Sequence, residues 1–270
     1  MGNPVEHSKS PWIHARFAEL AGEPVAYGKR LIGLDEFPRA VRAFAAEGGR
    51  GCNITVPFKF QAAALVTARS ARAQLAEACN ILSFEGDAIL GDNTDGIGFV
   101  ADVERNAGVA LAGRDVLLLG AGGAAAGVLG PVLEARPRRV VVANRTPAKA
   151  QALVERHAAP ARSCGVALAA CALDAVPGSF DVVVNGTASS LSGGGVPVDA
   201  RVLKPGALAY DMMYGPAAEG FLQWARAHGA TGRDGLGMLV EQAAEAFLIW
   251  RGVRPPSRQV LAELRAELAR

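Results

Sequence analysis

The sequence predicts an α/β protein with two domains, one of which contains a doubly wound parallel sheet. Three observations lead to this prediction. The chain has 270 residues, enough for two domains of ordinary size. Half of the residues are apolar and a fifth are charged, as in a globular protein. In the second half of the chain, short apolar runs are separated by longer helical stretches, which is typical of a parallel sheet covered by helices.

The N-terminal region combines a helix start with polar side chains. Ser10 is a natural N-cap and Pro11 a natural first helical residue for the amphipathic run that contains Ile13 and Phe17. Capping alone accounts for Ser10. Ser8 and Ser10 would nevertheless suit a carboxylate ligand, because free N–H groups at a helix start attract anions.

The segment that begins at Asn53 is predicted to be a strand that runs into a loop. A period of two places Asn53 and Thr55 on one face of this strand. Ile54 and Val56 fall on the other face. Two neutral hydrogen-bonding side chains, with Lys59 just beyond the strand, suit a hydroxylated ligand.

A β-hairpin is predicted to follow Asn80. One strand covers residues 81–84, a turn covers residues 85–87, and the returning strand covers residues 88–90. Residues 91–96 come next and read Gly-Asp-Asn-Thr-Asp-Gly. So many turn-forming residues are explained most simply as a turn.

A dinucleotide site is predicted in the middle of the chain. A buried strand at residues 115–119 leads into Gly-Ala-Gly-Gly-Ala-Ala at 120–125 and a helix that runs through Leu133. Gly120 permits the tight turn, and Gly122 lets the backbone approach a pyrophosphate. A second apolar strand follows at residues 140–142, as a βαβ unit requires, and two further apolar runs, at 180–184 and 207–210, are predicted to extend the sheet. A glycine-rich turn used only for packing is the competing interpretation.

The end of the second strand indicates which dinucleotide binds. A unit that binds NAD usually carries an acidic residue there, which holds the ribose 2′-hydroxyl. This chain has Asn144, Arg145 and Thr146 instead. Because no carboxylate would repel a 2′-phosphate and Arg145 can pair with one, the sequence predicts NADP rather than NAD.

The C-terminal region is predicted to form a helix that opens near residues 234–239. Gln242 falls on the same side of this helix as Met238, Leu239 and Ala246. A buried amide needs hydrogen-bond partners. The partner of Gln242 could be a backbone group or a ligand hydroxyl, and periodicity does not distinguish these two possibilities.

Several classes of function are disfavoured by composition. The net charge is +2, and no basic stripe with interleaved aromatic residues suggests nucleic acid as a partner. No pair of cysteines has metal-ligand spacing, so we expect no metal. The first residues lack the apolar core of a signal peptide, so we expect a cytoplasmic protein. The uncharged run at 116–133 could span a bilayer by length, but its glycines and Pro131 argue against a membrane span.

Six motifs in order resemble the shikimate dehydrogenase family along nearly the whole chain. They are Gly-Asn-Pro at 2–4 with Ser-Lys-Ser-Pro at 8–11, Asn-Ile-Thr-Val-Pro-Phe-Lys at 53–59, Gly-Asp-Asn-Thr-Asp-Gly at 91–96, Gly-Ala-Gly-Gly-Ala at 120–124, Asn-Arg-Thr at 144–146 and Asp-Gly-Leu-Gly-Met-Leu at 234–239. The resemblance implies reversible reduction of 3-dehydroshikimate to shikimate with NADPH, in aromatic amino-acid biosynthesis.

The resemblance also implies roles for individual residues. Lys59 and Asp95 would be the catalytic pair: Lys59 protonates the alkoxide that forms when hydride reaches the ketone carbon, and Asp95 orients the ammonium. The residues implied to lie at the substrate are Ser8, Ser10, Asn53, Thr55, Asn80, Tyr214 and Gln242. Those implied to hold NADP(H) are Gly120, Ala121, Gly122, Gly123, Ala124, Asn144, Arg145, Thr146, Thr187, Met212 and Gly235.

The chain departs from the family pattern in a few places. Ile81 stands where threonine is common, and family members usually carry a short apolar strand before the Gly-Asn-Pro motif, whereas this sequence starts at Met1. Ala125 and Ala126 replace a frequent Ser-Arg pair, which removes one possible phosphate contact. Selectivity for NADP would therefore depend more heavily on Arg145.

The resemblance implies a discontinuous domain organisation. Residues 1–98, completed by 234–270, would form an open α/β substrate domain, and residues 99–233 a Rossmann-type doubly wound NADP-binding domain. The active site is expected in the cleft between them. We expect a small-molecule substrate and a monomer or homodimer. The alternatives are a broader quinate/shikimate dehydrogenase that uses NAD or NADP, and a non-catalytic NADPH-binding protein, which the retained Lys59 and Asp95 disfavour.

Overall fold

The protein forms two compact units, one of which is discontinuous in sequence. The computed structural model describes residues 1–187 and 195–269. The first unit comprises residues 1–98 and 239–270, and the second comprises residues 99–238. Each unit combines helices with one β-sheet, so the predicted α/β fold class is confirmed.

The first unit has a small mixed sheet. Its four strands are β1 (Gly51–Asn53), β2 (Ala68–Arg69), β3 (Ile81–Glu85) and β4 (Ala88–Asp92), in the order β1-β3-β4-β2. The two pairings that involve β3 are antiparallel, and β2 lies parallel to β4. The helices of this unit are α1 (Ser10–Ala21), α2 (Phe37–Ala46), α3 (Lys59–Leu65), α4 (Ala71–Ala76), the start of α5 (Asp95–Ala101), most of α9 (Leu236–Arg251) and α10 (Ser257–Leu268).

The core of the first unit comes from apolar positions that helices and strands turn inward. Phe37 and Val41 on α2 are fully buried, one helical turn apart. The rings of Phe37 and Phe58 stack with their centroids 4.8 Å apart. This packing places Phe58, and with it the start of α3, against the sheet.

The prediction that Ser10 is the N-cap of the first helix is wrong. Helix α1 starts at Ser10 itself, and Lys9 is the N-cap without a capping side chain. The physical reason is that Ser8 takes over part of the capping: its Oγ accepts a hydrogen bond of 3.3 Å from the N–H of Ser10. Ser10 is therefore a buried helical residue.

The prediction that a strand begins at Asn53 is also wrong, because β1 ends at this residue. Beyond Asn53 the backbone turns, and the N–H of Phe58 donates to the carbonyl of Thr55 at 3.0 Å. Ile54 is 2% exposed whereas Val56 is 40% exposed. These two residues therefore do not share a buried face, and Pro57, which cannot donate a hydrogen bond, lies in the turn.

The second unit has the doubly wound parallel sheet that the sequence predicts. Its strands are β5 (Asp115–Leu119), β6 (Arg139–Asn144), β7 (Ala167–Ala172), β8 (Phe180–Asn185), β9 (Leu203–Asp211) and β10 (Thr231–Arg233), in the order β10-β9-β8-β5-β6-β7. All neighbours are parallel. The helices between strands are α6 (Gly123–Glu134), α7 (Pro147–Cys164) and α8 (Pro216–Ala227). The strand order reverses between β5 and β8, which is where such sheets bind ligands.

Strands β5, β6, β8 and β9 match the predicted apolar runs, but the edge strands β7 and β10 were not predicted. β7 is composed mainly of alanine, and β10 has only three residues. Neither has the β-branched composition that identifies a strand in a sequence. Both form only because a neighbouring strand offers a row of backbone hydrogen-bonding groups.

The central apolar run is part of this sheet. Residues 115–119 form the fully buried β5, and the glycine- and alanine-rich residues after them form α6. Among the described residues, no helix has the length and apolar character needed to cross a membrane.

Candidate active site

Lys59 and Asp95 meet in the first unit. Lys59 is the first residue of α3, and Asp95 is the first residue of α5. Nζ of Lys59 donates a hydrogen bond to Oδ2 of Asp95 in an ion pair whose side chains are only 13% and 6% exposed. Hydrogen bonds between charged groups are stronger than those between neutral groups, and this one fixes the position of the ammonium.

The carboxylate of Asp95 is also held on its other side. Nδ2 of Asn80 donates to Oδ1 of Asp95 at 2.9 Å, and Oδ1 of Asn80 accepts the N–H of Thr94 at 2.8 Å. The N–H of Asp95 donates to Oδ1 of Asn93 at 3.1 Å, while Nδ2 of Asn93 donates to the carbonyl of Ala78 at 2.8 Å. Neutral amide side chains therefore orient Asp95.

Gln242 on α9 joins this network. Its Nε2 donates to the carbonyl of Leu239 at 2.8 Å, so the backbone hydrogen bond left open by the sequence does form. Its Oε1 accepts from Nδ2 of Asn80 at 3.2 Å and from Oγ1 of Thr94 at 3.4 Å. We call Lys59, Asn80, Thr94, Asp95 and Gln242 the polar cluster.

Asn53 lies next to the polar cluster. It pairs with Ile81 in the sheet, and the N–H of Ile54 donates to the carbonyl of Asn80 at 2.7 Å. Oδ1 of Asn53 accepts a 2.6 Å hydrogen bond from the hydroxyl of Tyr27. The adjacency of β1 and β3 thus brings together side chains that are far apart in sequence.

The other predicted substrate residues are divided between the units. Ser8, Ser10 and Thr55 belong to the first unit, with Ser8 and Thr55 partly exposed and Ser10 buried. Tyr214 belongs to the second unit and follows β9. It is partly exposed.

The glycine-rich turn of the second unit lies between β5 and α6. Gly120 has a φ of 104°, and a Cβ there would lie 3.0 Å from the carbonyl oxygen of Gly186. Gly122 is the N-cap of α6 and has ordinary extended backbone angles, and no atom lies within 4 Å of where its Cβ would be. Gly120 is thus required by the fold, whereas Gly122 leaves open space at a helix start.

The residues after β6 remain open to solvent. Asn144 donates from Nδ2 to the carbonyl of Thr146 at 2.9 Å, which shapes the turn into α7. The side chain of Arg145 is exposed. An exposed guanidinium at the end of this strand can reach an anionic group without first breaking a buried ion pair.

The carboxyl ends of β8 and β9 are tied to each other. Oγ1 of Thr187 donates to Oδ1 of Asn185 at 2.7 Å, and Nδ2 of Asn185 donates to Oδ2 of Asp211 at 2.9 Å. A Cβ at Gly235 would lie 2.3 Å from the carbonyl oxygen of Met212, so only glycine fits there. Thr187, Met212 and Gly235 thus occupy one edge of the sheet in the second unit.

Comparison with known proteins places this geometry in a family. Family models match residues 1–82 (shikimate dehydrogenase substrate binding domain), 102–192 (shikimate / quinate 5-dehydrogenase) and 235–265 (shikimate 5′-dehydrogenase C-terminal domain). A shikimate dehydrogenase (NADP(+)) of Acidovorax sp. strain JS42 is 66% identical over 269 residues, covering 100% of this chain and 95% of the relative. The chain belongs to the shikimate dehydrogenase family.

Solved structures agree with this membership in the shikimate dehydrogenase family. The Ael1 enzyme from Pseudomonas putida is 48% identical with a TM-score of 0.88, over 97% of this chain and 96% of that one. The shikimate 5-dehydrogenase of Thermus thermophilus, in complex with NADP(H) and shikimate, is 30% identical with a TM-score of 0.81, over 98% and 97% of the two chains.

In this member of the shikimate dehydrogenase family, several buried polar residues were not singled out from the sequence. Asn93 and Thr94 lie in the Gly-Asp-Asn-Thr-Asp-Gly motif, which read as a turn, yet they are 1% and 0% exposed. His14 lies on the apolar face of α1, and Tyr27 lies in a loop. Only the motif could have indicated Asn93 and Thr94, and no sequence signal pointed to His14 or Tyr27.

A second buried network, also missed, supports the Asp-Gly-Leu-Gly segment of the shikimate dehydrogenase family. Asp102 is fully buried and accepts from Nε of Arg233 at 2.8 Å and from the hydroxyl of Tyr210 at 2.8 Å. A Cβ at Gly237 would lie 1.8 Å from Oδ1 of Asp102. The glycine at 237 is therefore required because the carboxylate packs against it. Among the described residues, no group of three His, Cys, Asp or Glu side chains could hold a metal ion.

Proposed function

We propose that the chain catalyses the reversible, NADPH-dependent reduction of 3-dehydroshikimate to shikimate, a step of aromatic amino-acid biosynthesis. The observation that carries this proposal is the Lys59–Asp95 ion pair, oriented by Asn80. It pairs a proton donor with a fixed carboxylate in the unit that matches the substrate-binding family model. The relatives named shikimate dehydrogenase (NADP(+)) support the same reaction and cofactor.

The described residues of the second unit fit a dinucleotide phosphate. Open space at Gly122, at the start of α6, leaves room for a phosphate beside free backbone N–H groups. Gly120, Ala121, Gly122, Gly123 and Ala124 would hold the pyrophosphate, and Asn144, Arg145 and Thr146 the 2′-phosphate. The remaining part of the bound dinucleotide would be lined by Thr187, Met212 and Gly235. When bound, NADPH supplies the hydride.

Lys59 and Asp95 would carry out the proton transfer of the reaction. Lys59 donates a proton from Nζ to the substrate oxygen as negative charge develops on it, and Oδ2 of Asp95 keeps the ammonium in place. In the direction of oxidation, Lys59 takes the proton back. The N–H of Thr94 holds the side chain of Asn80, and Asn80 in turn donates to Oδ1 of Asp95. Because these hydrogen bonds fix the carboxylate, it does not need to reorganise during the reaction.

The remaining polar residues would bind the substrate. Neutral hydroxyl and amide groups suit a ligand with several hydroxyls, because they can both donate and accept. We assign the substrate contacts to Ser8, Ser10, Asn53, Thr55, Asn80, Tyr214 and Gln242. Neutral groups recognise hydroxyls without the desolvation cost of further buried charges.

An absorbance assay of the purified chain tests the proposal. Shikimate with NADP⁺ should give a rise in NADPH absorbance, whereas shikimate with NAD⁺ or quinate with either cofactor should react much more slowly. Equal rates with quinate, or with NAD⁺, would support a broader quinate/shikimate dehydrogenase instead. The absence of turnover with all four combinations would overturn the enzyme assignment.

We also infer three properties of the protein in the cell and in solution. The partner is a small molecule, the location is the cytoplasm, and the protein is a monomer or homodimer. We assign substrate binding to residues 1–98 with 234–270 and NADP binding to residues 99–233. Light scattering during gel filtration would determine the oligomeric state.

A further inference from the structure

Tyr27 makes a contact that the proposed reaction does not use. Its hydroxyl donates a hydrogen bond of 2.6 Å to Oδ1 of Asn53. The ring is stacked on that of His14, with centroids 4.2 Å apart and planes 5° from parallel. The stacked ring fixes where the hydroxyl points, so the donor is held in one position toward Asn53.

The amide orientation that Tyr27 selects is costly for the fold. Nδ2 of Asn53 is buried, and no atom of the described residues accepts a hydrogen bond from it at normal geometry. A buried donor without an acceptor is destabilising. The side chain of Asn53 raises the pKa of the nearby His14, but burial is the larger influence and lowers that pKa to about 3. His14 therefore stays neutral and cannot attract the oxygen of the amide by charge.

The same orientation leaves the oxygen of the Asn53 side chain available to a ligand. Nδ2 of Asn53 is fully buried, whereas the hydrogen bond between Tyr27 and Oδ1 of Asn53 is only partly buried. A carboxamide oxygen has two acceptor sites, of which Tyr27 fills one. The second site can accept from a ligand hydroxyl. The carboxamide group of asparagine rotates broadly about the Cβ–Cγ bond, and the hydrogen bond from the Tyr27 hydroxyl favours the orientation in which this oxygen faces outward.

Tyr27 also interacts with a second predicted substrate residue. Burial raises the pKa of the Tyr27 phenol, with a smaller contribution from Cys52, and a hydrogen-bonding contact with the side chain of Ser10 opposes the shift. Ser10 is itself buried at the start of α1. The Tyr27 hydroxyl thus lies near Ser10, while its hydrogen bond goes to Asn53.

We propose that Tyr27 is a positioning residue that sets the orientation of Asn53 for a hydroxyl of the substrate. The inference rests on the proposed function for the identity of that substrate. Tyr27 acts through Asn53 and does not itself touch the reacting atoms. It therefore affects recognition of the substrate and leaves the proton transfer by Lys59 and the binding of NADP⁺ unchanged.

A double-mutant cycle on the full-length protein tests this proposal. Tyr27→Phe removes only the hydroxyl and should raise the KM for shikimate about 3- to 10-fold, the range of one hydrogen bond, with kcat within about twofold. In an Asn53→Ala background the same change should alter the KM by less than about twofold, because its target is absent. The KM for NADP⁺ and the pH profile of kcat should be the same in all four proteins.

Tyr210→Phe is the matched control. It removes the same atom from a buried hydrogen bond to a carboxylate in the second unit, so it should leave the KM for shikimate unchanged. Circular dichroism checks that each variant is folded. The proposal is overturned if Tyr27→Phe has its full effect in the Asn53→Ala background, because Tyr27 would then contact the substrate directly, or if it changes kcat alone.

Calorimetric titration of the four proteins with shikimate repeats the double-mutant cycle in the absence of turnover. This measurement separates the two proposals. A wild-type protein that neither oxidises nor binds shikimate would overturn both of them. The wild type could instead be active while the effects of Tyr27→Phe and Asn53→Ala on the KM and the dissociation constant of shikimate are independent of each other. That result would overturn only the role of Tyr27.

Discussion

The polar cluster of the first unit and the glycine-rich turn of the second unit are built in opposite ways. In the polar cluster, side chains determine the geometry: the amides of Asn80 and Gln242 and the ion pair of Lys59 with Asp95 hold one another in place. In the glycine-rich turn, the useful feature is a missing side chain. Gly122 offers open space and backbone N–H groups, and Arg145 stays exposed.

This difference separates chemistry from binding. A proton donor must be placed within a fraction of an ångström, which requires a packed and hydrogen-bonded surrounding. A phosphate carries charge on several oxygens, so a helix start and an exposed guanidinium can recognise it without such exact placement. We therefore expect substitutions of the Lys59–Asp95 ion pair to act on kcat and substitutions near the turn to act on the KM for NADP⁺.

The largest expected effect is that of Lys59→Ala. Loss of a positioned proton donor should lower kcat by roughly 10²- to 10⁴-fold, with the affinity for NADPH nearly unchanged. Steady-state kinetics and a fluorescence titration of NADPH measure the two quantities. A raised KM with an unchanged kcat would make Lys59 a binding residue and remove the contrast between the two regions.

A large effect on stability is expected from His14, which supports the first unit from inside. Burial lowers its pKa from 6.5 to about 3, so the unfolded chain takes up a proton at a higher pH than the folded one. The contribution of His14 is fully present above pH 6.5 and is lost as the pH falls toward 3. The loss approaches roughly 3–5 kcal/mol at the acid end.

Urea unfolding between pH 7 and 4 measures this dependence. His14→Phe keeps a ring in the stack and should flatten the fall in stability. His228 is exposed, so His228→Phe serves as the control and should leave the slope as it is in the wild type. An unchanged slope in His14→Phe would mean that other groups cause the acid sensitivity.

Two alanine substitutions in one turn sharpen the comparison further. Gly120→Ala forces a side chain into a φ of 104° and against the backbone of Gly186, so it should lower the melting temperature. Gly122→Ala has ordinary backbone angles and free space, so its stability should stay at the wild-type level. Its methyl group would lie where a phosphate approaches, and the KM for NADP⁺ should rise roughly 10- to 100-fold, as for a lost charge-assisted contact.

The pair is informative because the same atom is added two residues apart. Thermal unfolding and NADP⁺ kinetics are measured on both variants. If Gly122→Ala bound NADP⁺ as tightly as the wild type, the phosphate would have to lie elsewhere along the sheet edge.

The smallest of these effects is expected for Arg145→Ala. Its side chain is exposed, so the loss of one charge-assisted contact should raise the KM for NADP⁺ roughly 10-fold and leave the weak use of NAD⁺ unchanged. Arg162→Ala at the other end of α7 is the matched control, because it removes an equally exposed charge. Equal losses with both cofactors would show that Arg145 does not read the 2′-phosphate.

Local rules identified the central strands of the second unit but not its edge strands β7 and β10, and in the first unit they identified the hairpin of β3 and β4 but not the end of β1. Apolar runs predicted β5, β6, β8 and β9 because strands buried on both faces read as continuous apolar segments. The strand predicted from Asn53 failed, because the turn that places Lys59 at the start of α3 is stabilised by contacts with distant segments. Short mixed-sheet strands carry too few residues for periodicity to decide their ends.

The amino-acid sequence by itself determined the fold class, the glycine-rich turn and the residue types available for proton transfer and phosphate binding, since these depend on neighbours along the chain. Tertiary structure decided which polar side chains touch. Lys59 meets Asp95 from 36 positions away, and Asn80 meets Gln242 from 162 positions away. Burial then made each of these groups depend on its partner, because a polar atom removed from water is stable only when another atom replaces the water.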